Sequence, residues 1–163
     1  MYFGLIIQQT PIQMVSKKTI ENFLEPKKLA IAGVSRDPKK FGHAVFRELK
    51  KSGYSVCPIN PKADTIEGEK CYAAVADLPE DVKHLLILTP RKETDAVLRE
   101  AINKGITRIW VQQMSETSDT IRIAEEFHVE LISKKCIFMF AEPVAGIHNF
   151  HRTIMRIFGR LPK

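Results

Sequence analysis

A short apolar run that ends in glycine and continues into a basic loop is the stretch of this sequence best suited to chemistry. Its residues are the apolar positions 29–32, then Gly33, Ser35, Arg36, Lys39 and Lys40. From residue 41 onward, apolar side chains recur at helical spacing, so the stretch predicts a strand, a turn and a helix. A helix N-terminus leaves backbone N–H groups unpaired and carries partial positive charge, which favours an anion. The basic loop therefore predicts a phosphate-binding turn.

The loop departs from the fingerprint of dinucleotide-binding turns. That fingerprint requires three glycines in the pattern G-x-G-x-x-G and an acidic residue at the end of the next strand, which bonds a ribose hydroxyl. Here the next glycine after Gly33 is Gly42, and the second predicted strand ends in Asn60-Pro61-Lys62. A lysine at this position favours a phosphorylated ribose, as in NADP or coenzyme A (CoA), over NAD. An ordinary turn that binds nothing is the structural alternative.

Strand and helix patterns alternate along the chain and predict the elements that must position this turn. Predicted strands span 28–32, 54–59, 83–88, 107–111 and 129–132, and predicted helices span 17–24, 41–51, 92–103 and 118–127. Strands separated by single helices form parallel sheets with helices on both faces. The predicted fold is therefore α/β, with a Rossmann-like five-stranded parallel sheet. We expect the strand order 3-2-1-4-5, with the ligand at the carboxyl ends of the first and fourth strands.

The two ends of the chain carry different expectations. Residues 1–15 show no clear period and are expected to be poorly ordered, and residues 16–136 are expected to form the domain. Residues 137–163 are expected to provide a basic amphipathic helix, because apolar residues recur at helical spacing beside arginines from residue 144 onward. This helix could pack on the domain or extend it. It could also contact a second copy, a partner protein or an anionic surface.

Composition sets limits on location and partners. A chain of 163 residues with a net charge of +6 fits one domain with an anionic partner. Cys57, Cys71 and Cys136 form an odd, sparse set without metal-ligand spacing, which favours a reducing cytoplasm. No apolar run approaches the ~20 residues that span a bilayer. No metal site and no catalytic residue is predicted.

Several short motifs occur in a fixed order between residues 28 and 136. They are Ala32-Gly33-Val34-Ser35-Arg36, Lys40-Phe41-Gly42, Gly53-Tyr54, Pro58-Ile59-Asn60-Pro61-Lys62, Gly68-Glu69-Lys70-Cys71-Tyr72, Ala76-Asp77-Leu78-Pro79, Trp110-Val111-Gln112 and Cys136. In this order they resemble the small stand-alone proteins of the CoA-binding domain family. That family shares its fold with the nucleotide-binding domain of the succinyl-CoA synthetase α subunit.

The resemblance implies roles for individual residues, position by position. Gly33, Ser35, Arg36 and Lys40 would contact the pyrophosphate, within a cofactor-binding loop that includes Val34, Phe41 and Gly42. Asn60, Pro61 and Lys62 would flank the adenosine and its 3′-phosphate. Thr89 and Pro90 would line the cleft after the third predicted strand, and Gln112 would lie near the pantetheine arm.

Three functional hypotheses follow. The first is non-catalytic binding of CoA or an acyl-CoA, with a regulatory or CoA-presenting role. The second is an NADP-dependent oxidoreductase that uses the same loop, although the fingerprint glycines and a substrate domain are missing. The third is binding of an anionic surface or a nucleic acid through the basic C-terminal helix. Nucleic acid is not the expected partner, because the sequence contains no recognition motif or aromatic platform.

Overall fold

The computed structural model describes residues 15–141, which contain four α-helices and seven strands. The helices are α1 (Lys17–Leu24), α2 (Phe41–Lys51), α3 (Arg91–Asn103) and α4 (Ser118–Glu126). The strands are β1 (Lys28–Ala32), β2 (Ser55–Ile59), β3 (Thr65–Ile66), β4 (Glu69–Lys70), β5 (His84–Ile87), β6 (Arg108–Gln112) and β7 (Glu130–Lys135). Short 3₁₀ turns lie at Val75–Asp77 and Ile137–Met139. The predicted helices and long strands agree with these bounds to within three residues.

Five strands form a parallel sheet in the order β2-β1-β5-β6-β7, which confirms the predicted sheet type. The predicted order 3-2-1-4-5 is wrong, because the third long strand, β5, pairs with β1 and lies at the centre of the sheet. All four residues of β5 are buried, as expected for an apolar strand covered on both faces. The order therefore reverses between β1 and β5, and the ligand edge predicted for an open α/β sheet lies there.

Helices cover both faces of the sheet, as predicted. On one face, Leu29 and Ile31 of β1 belong to a buried cluster with Phe46 of α2 and Phe23 of α1. On the other face, alternate residues of the same strands cluster with Leu98 of α3 and with α4. Side chains along a strand alternate between faces, so the continuous apolar strands supply both layers of the core.

The connection from β2 to β5 is a hairpin rather than a helix. Strands β3 and β4 pair antiparallel, and the two turn residues Glu67 and Gly68 both have positive φ, at 47° and 80°. Positive φ at both central residues is typical of the type I′ turn that joins two-residue hairpins. Tyr72 then bridges to Ile59, so the connection runs along the open edge of β2. The sequence patterns did not predict this hairpin.

Two expectations concern residues that the structure does not describe. The N-terminal segment lies almost wholly outside residues 15–141, and the C-terminal helix expected from residue 144 onward lies entirely outside them. Within the described part of the chain, no helix is both long enough and apolar enough to cross a membrane.

Candidate functional site

Gly33 lets the end of β1 approach the end of β5 closely. Its φ is +93°, a conformation that side-chain-bearing residues rarely adopt. A Cβ atom here would lie 2.9 Å from the backbone of both Leu88 and Thr89. Gly33 therefore allows the loops after β1 and β5 to pack against each other where the strand order reverses.

Gly42 brings the start of α2 onto the same loop. A Cβ atom at this position would lie 2.2 Å from the carbonyl oxygen of Gly33, which no real side chain could tolerate. Lys40 is the N-cap residue, and within residues 15–141 the helix has no side-chain capping hydrogen bond. The first turn of α2 thus lacks the side-chain cap that would satisfy its N–H groups, and such helix starts favour anions.

Hydrogen bonds within the loop fix its path and leave its cations outside. Ser35 Oγ accepts from the N–H of Asp37 at 3.0 Å, and Asp37 Oδ1 accepts from the N–H of Lys39 at 2.9 Å. The side chains of Arg36, Lys39 and Lys40 are exposed. Among residues 15–141, no carboxylate forms an ion pair with any of these three cations. The loop is ordered from within while its positive charge is available to a ligand.

One peptide group of the loop is oriented from the protein interior. The carbonyl of Ser35 lies 2.8 Å from Nδ1 of the buried His43 ring. In a trans peptide the C=O and the following N–H point in opposite directions, so the N–H of Arg36 is directed away from this ring. This N–H has no hydrogen-bond acceptor among the described residues. It is a backbone donor suited to a phosphate oxygen.

Asn60 connects the end of β2 to the β1–α2 loop. Its Nδ2 donates to the carbonyl of Val34 at 2.7 Å, and its Oδ1 accepts from the N–H of Lys62 at 2.8 Å. The second bond forms an Asx turn that presents Pro61 and Lys62 at the surface. Asn60 therefore sets the geometry of both predicted phosphate-binding segments.

An open cleft of about 500 Å³ lies between these two segments. It is lined by Ser35, Arg36, Asp37, Asn60 and Lys62. Two cations and one carboxylate line it, and two further lysines stand beside it at the start of α2. A cleft of this size and charge suits a phosphorylated small molecule.

The remaining predicted site residues follow other strands. Thr89 is buried and its hydroxyl lies 3.2 Å from that of Thr94, whereas Pro90 is exposed at the N-cap of α3. Gln112 is buried, and its Oε1 accepts from the N–H of Ile137 at 3.1 Å. Its binding role stays a prediction, since the structure shows only this bond to the chain itself.

Trp110 is fully buried and donates through Nε1 to the carbonyl of Lys135 at 3.0 Å. Its ring contacts those of Phe23 and Phe140. It therefore serves the core, and it does not offer a stacking surface to a ligand.

Three residues of this region escaped sequence reasoning. Asp37 lines the cleft, and His43 and Glu67 are joined by a 2.9 Å contact between Nε2 and Oε1. Their separation of 24 positions gives no local pattern. The one available signal is the Glu-Gly pair at positions 67 and 68, since a two-residue turn with glycine in second place predicts a hairpin.

Comparison with known proteins identifies the family. The sequence model of the family described as CoA binding domain matches residues 27–142, and the chain therefore belongs to this family. Two similar proteins of solved structure are single small chains. A conserved hypothetical protein from Pyrococcus furiosus has a TM-score of 0.66 and 36% identity, covering 68% of this chain and 95% of its own. A hypothetical protein from Pyrococcus horikoshii OT3 has a TM-score of 0.72 and 29% identity, covering 78% and 90%.

Curated relatives include longer enzymes. The α subunit of the ADP-forming acetate–CoA ligase II of Pyrococcus furiosus is 27% identical over 150 residues, covering 85% of this chain and 31% of the subunit. An ADP-forming acetate–CoA ligase from Methanocaldococcus jannaschii is 30% identical, and the match covers 19% of its length. The chain thus spans less than a third of these ligases.

Proposed function

We propose that this protein binds CoA or an acyl-CoA at the cleft between the β1–α2 loop and the β2 exit, without catalysing a reaction of its own. The observation that carries the proposal is the N–H of Arg36, which has no acceptor within residues 15–141 and lies beside three exposed cations, Arg36, Lys39 and Lys40, that form no ion pair with those residues. These donors and charges are what a pyrophosphate requires. Membership in the CoA binding domain family agrees with this ligand class.

The other parts of the ligand follow from the position of the pyrophosphate. In this proposal Asn60, Pro61 and Lys62 flank the adenosine, and the Lys62 ammonium contacts its 3′-phosphate. The pantetheine arm runs toward Thr89, Pro90 and Gln112 at the exits of β5 and β6. Glycines 33 and 42 let the β1 exit, the backbone after β5 and the start of α2 pack closely behind this site.

A non-catalytic role is proposed because the cleft offers positioning groups and no paired acid and base. Its lining side chains are a serine, an arginine, an aspartate, an asparagine and a lysine. We place the protein in the cytoplasm, where CoA and thiols coexist, because Cys57, Cys71 and Cys136 are all free. The C-terminal segment is the proposed contact region for a partner or a second copy, which would make the protein a presenter or regulator of CoA.

The test is calorimetric titration of the full chain with CoA, acetyl-CoA, dephospho-CoA, NADPH and NADH under identical conditions. We expect CoA and acetyl-CoA to bind and NADPH to bind at least about tenfold more weakly. Arg36→Ala should weaken CoA about tenfold, since it removes a charged contact to phosphate. Arg99→Ala, which changes an exposed arginine on α3, is the matched control and should leave affinity unchanged. Binding of NADPH without CoA would instead support the oxidoreductase hypothesis.

A further inference from the structure

His43 lies between two groups that can only accept hydrogen bonds. Its Nδ1 is 2.8 Å from the carbonyl oxygen of Ser35, and its Nε2 is 2.9 Å from a carboxylate oxygen of Glu67. The imidazole is buried, with a side-chain exposure of 6%. A neutral imidazole carries one N–H and can donate to one of these partners, whereas an imidazolium donates to both. Both ring nitrogens therefore face acceptors, and only a ring with two N–H groups could donate to both of them.

Glu67 occupies a backbone position that glutamate does not favour. Its φ is 47°, in the left-handed region, at the first central position of the β3–β4 turn. Asn, Asp and Gly are the residues preferred there. The turn thus departs from its local preference at the residue whose carboxylate contacts the His43 ring. Such local inconsistency is typical of residues retained for a site rather than for folding.

We propose that His43, as an imidazolium, is a positioning residue for the phosphate site. This inference rests on the proposed function, because it concerns how that site is preorganised. The ring donates to the Ser35 carbonyl and fixes the peptide whose N–H, on Arg36, points toward the cleft. Glu67 fixes the ring in turn and so joins the hairpin turn to the loop. The buried positive charge also lies beneath the loop that receives the anion.

The charged groups around the ring are arranged to leave this interaction intact. On the hairpin, Glu69 is paired with Lys50 of α2 at 2.7 Å, so the carboxylate that faces the ring is that of Glu67. On α2, the neighbouring aromatic ring is Phe46, at 6.4 Å between centroids, and the cation one turn further is Arg47, whose Nε lies 3.9 Å from Glu48. On the loop, Asp37 is occupied by the N–H of Lys39. Because both partners of the ring are acceptors, loss of a proton from either nitrogen removes one of its two hydrogen bonds.

The first test uses Glu67→Asn, which separates folding from binding. Asparagine suits the left-handed turn position but is one methylene shorter, so it should keep or raise thermal stability while it releases the His43 ring. CoA affinity should fall about threefold to tenfold, because a hydrogen bond to a charged group is lost. Glu69→Gln weakens the other link between the same two elements and is the matched control, with unchanged affinity expected. A purely structural Glu67 would instead lower stability and affinity together.

The second test uses Glu67→Gln to remove the proton requirement. A glutamine N–H can donate to the Nε2 of a neutral imidazole, so the link survives without a second ring proton. The ratio of wild-type to variant CoA affinity should fall as pH is raised from about 6 to about 8.5, because only the wild-type link needs the second ring proton. The titration of CoA itself cancels in this ratio. A ratio that stays flat, together with wild-type affinity in Glu67→Asn, would overturn the proposal.

The ligand-free protein provides a readout that does not depend on CoA. In nitrogen NMR spectra, assigned with His43→Gln, both ring nitrogens of His43 should give the signals of protonated nitrogens in the wild type, and Glu67→Gln should show one such nitrogen under the same conditions. If the wild type binds no CoA, the proposed function is wrong while this spectrum still decides the protonation of His43. A ring with one protonated nitrogen throughout would contradict the inference even if CoA binds.

Discussion

Two loops leave the same edge of the sheet and treat their polar groups in opposite ways. In the β1–α2 loop, no side chain caps the helix, and the N–H of Arg36 has no acceptor among the described residues. In the β6–α4 connection, Thr117 caps α4 by accepting from the N–H of Thr120 at 3.1 Å. Asp95 of α3 accepts from both threonine hydroxyls, at 2.7 and 2.5 Å.

The difference shows what each loop is suited for. A helix start whose donors are satisfied internally stabilises the fold and has little left for a ligand. A helix start without a cap leaves its donors available to an anion. Substitutions at the first loop should therefore act on binding, and substitutions at the second should act on stability. Gly42 is the exception, because its packing serves both.

Gly42→Ala should have the largest effect. Its Cβ would lie 2.2 Å from the Gly33 carbonyl oxygen, so the loop and the start of α2 must separate. We expect a loss of about 3 kcal/mol in the free energy of unfolding, at the upper end for overpacking, together with lost CoA binding. Denaturant unfolding and calorimetry measure the two effects.

Gly105→Ala is the matched control for this substitution. Gly105 has a φ of +79° and open space around its Cβ position, so alanine there costs about 1 kcal/mol from backbone strain alone. Equal losses in the two variants would show that the contact between Gly42 and Gly33 is not a determinant of the loop.

Asp95→Ala should come next and should act on stability alone. It leaves the fully buried Thr120 hydroxyl without its acceptor, which costs about 2 kcal/mol in the free energy of unfolding. CoA affinity of the folded protein should be unchanged. Asp95→Asn, which keeps one acceptor oxygen, should lose about half as much. If Asp95→Ala lost CoA affinity without losing stability, the β6–α4 connection would serve binding rather than stability.

The regular elements were predictable because their signals are local. The pattern over 17–24 predicted α1, which Ser16 caps by accepting from the N–H of Thr19. The pattern over 83–88 predicted β5, all four residues of which are buried. The strand, turn and helix around Gly33 were predictable for the same reason, since they are encoded by residues close together in the chain, whereas phosphate binding by this loop stays a prediction.

The failures concern interactions between distant residues. The predicted order 3-2-1-4-5 placed the third long strand, β5, at an edge of the sheet, although all of its residues are buried. The pairing of β5 with β1 could not be predicted, because it is not encoded in either strand alone. Strands β3 and β4 have two residues each, too few for a period of two to be visible. The contact between His43 and Glu67 depends on the hairpin, so it could not be predicted once the hairpin was missed.

His84 lies at the amino-terminal end of β5, at the opposite end of the sheet strands from both loops, and makes the stability of the fold depend on pH. Burial is the main cause that lowers the pKa of His84, and the neighbouring Arg108 contributes in the same direction. The neutral ring donates through Nδ1 to the carbonyl of Phe23 and accepts from Arg108 at Nε2. Because the unfolded chain takes up a proton at higher pH than the folded protein, stability should be complete above about pH 6.5 and fall below it.

Unfolding experiments on wild type and His84→Gln between about pH 7 and pH 5 test this sign. The slope attributable to His84 is at most about 1.4 kcal/mol per pH unit. Asp81 and Glu80 have lowered pKa values through Lys28 and Lys104, so their contributions disappear at more acidic pH. If the variant loses stability as steeply as the wild type over this range, another group is responsible. The effect on folding is opposite in direction to that proposed for His43 on binding.

Lys62→Ala should have the smallest effect on CoA affinity, and that effect should depend on the 3′-phosphate of the ligand. The Asx turn at Asn60 fixes the backbone of Lys62, and the side chain is exposed, with no ion pair among residues 15–141. An exposed charge that contacts a phosphate contributes modestly, so CoA affinity should fall about threefold to fivefold, and less at high salt. Dephospho-CoA affinity should not change, because that ligand lacks the 3′-phosphate. Lys18→Ala on α1 removes the same charge far along the chain and controls for net charge. Equal losses for both ligands would assign Lys62 to the pyrophosphate instead, and would extend the ligand-binding loop across the cleft to the β2 exit.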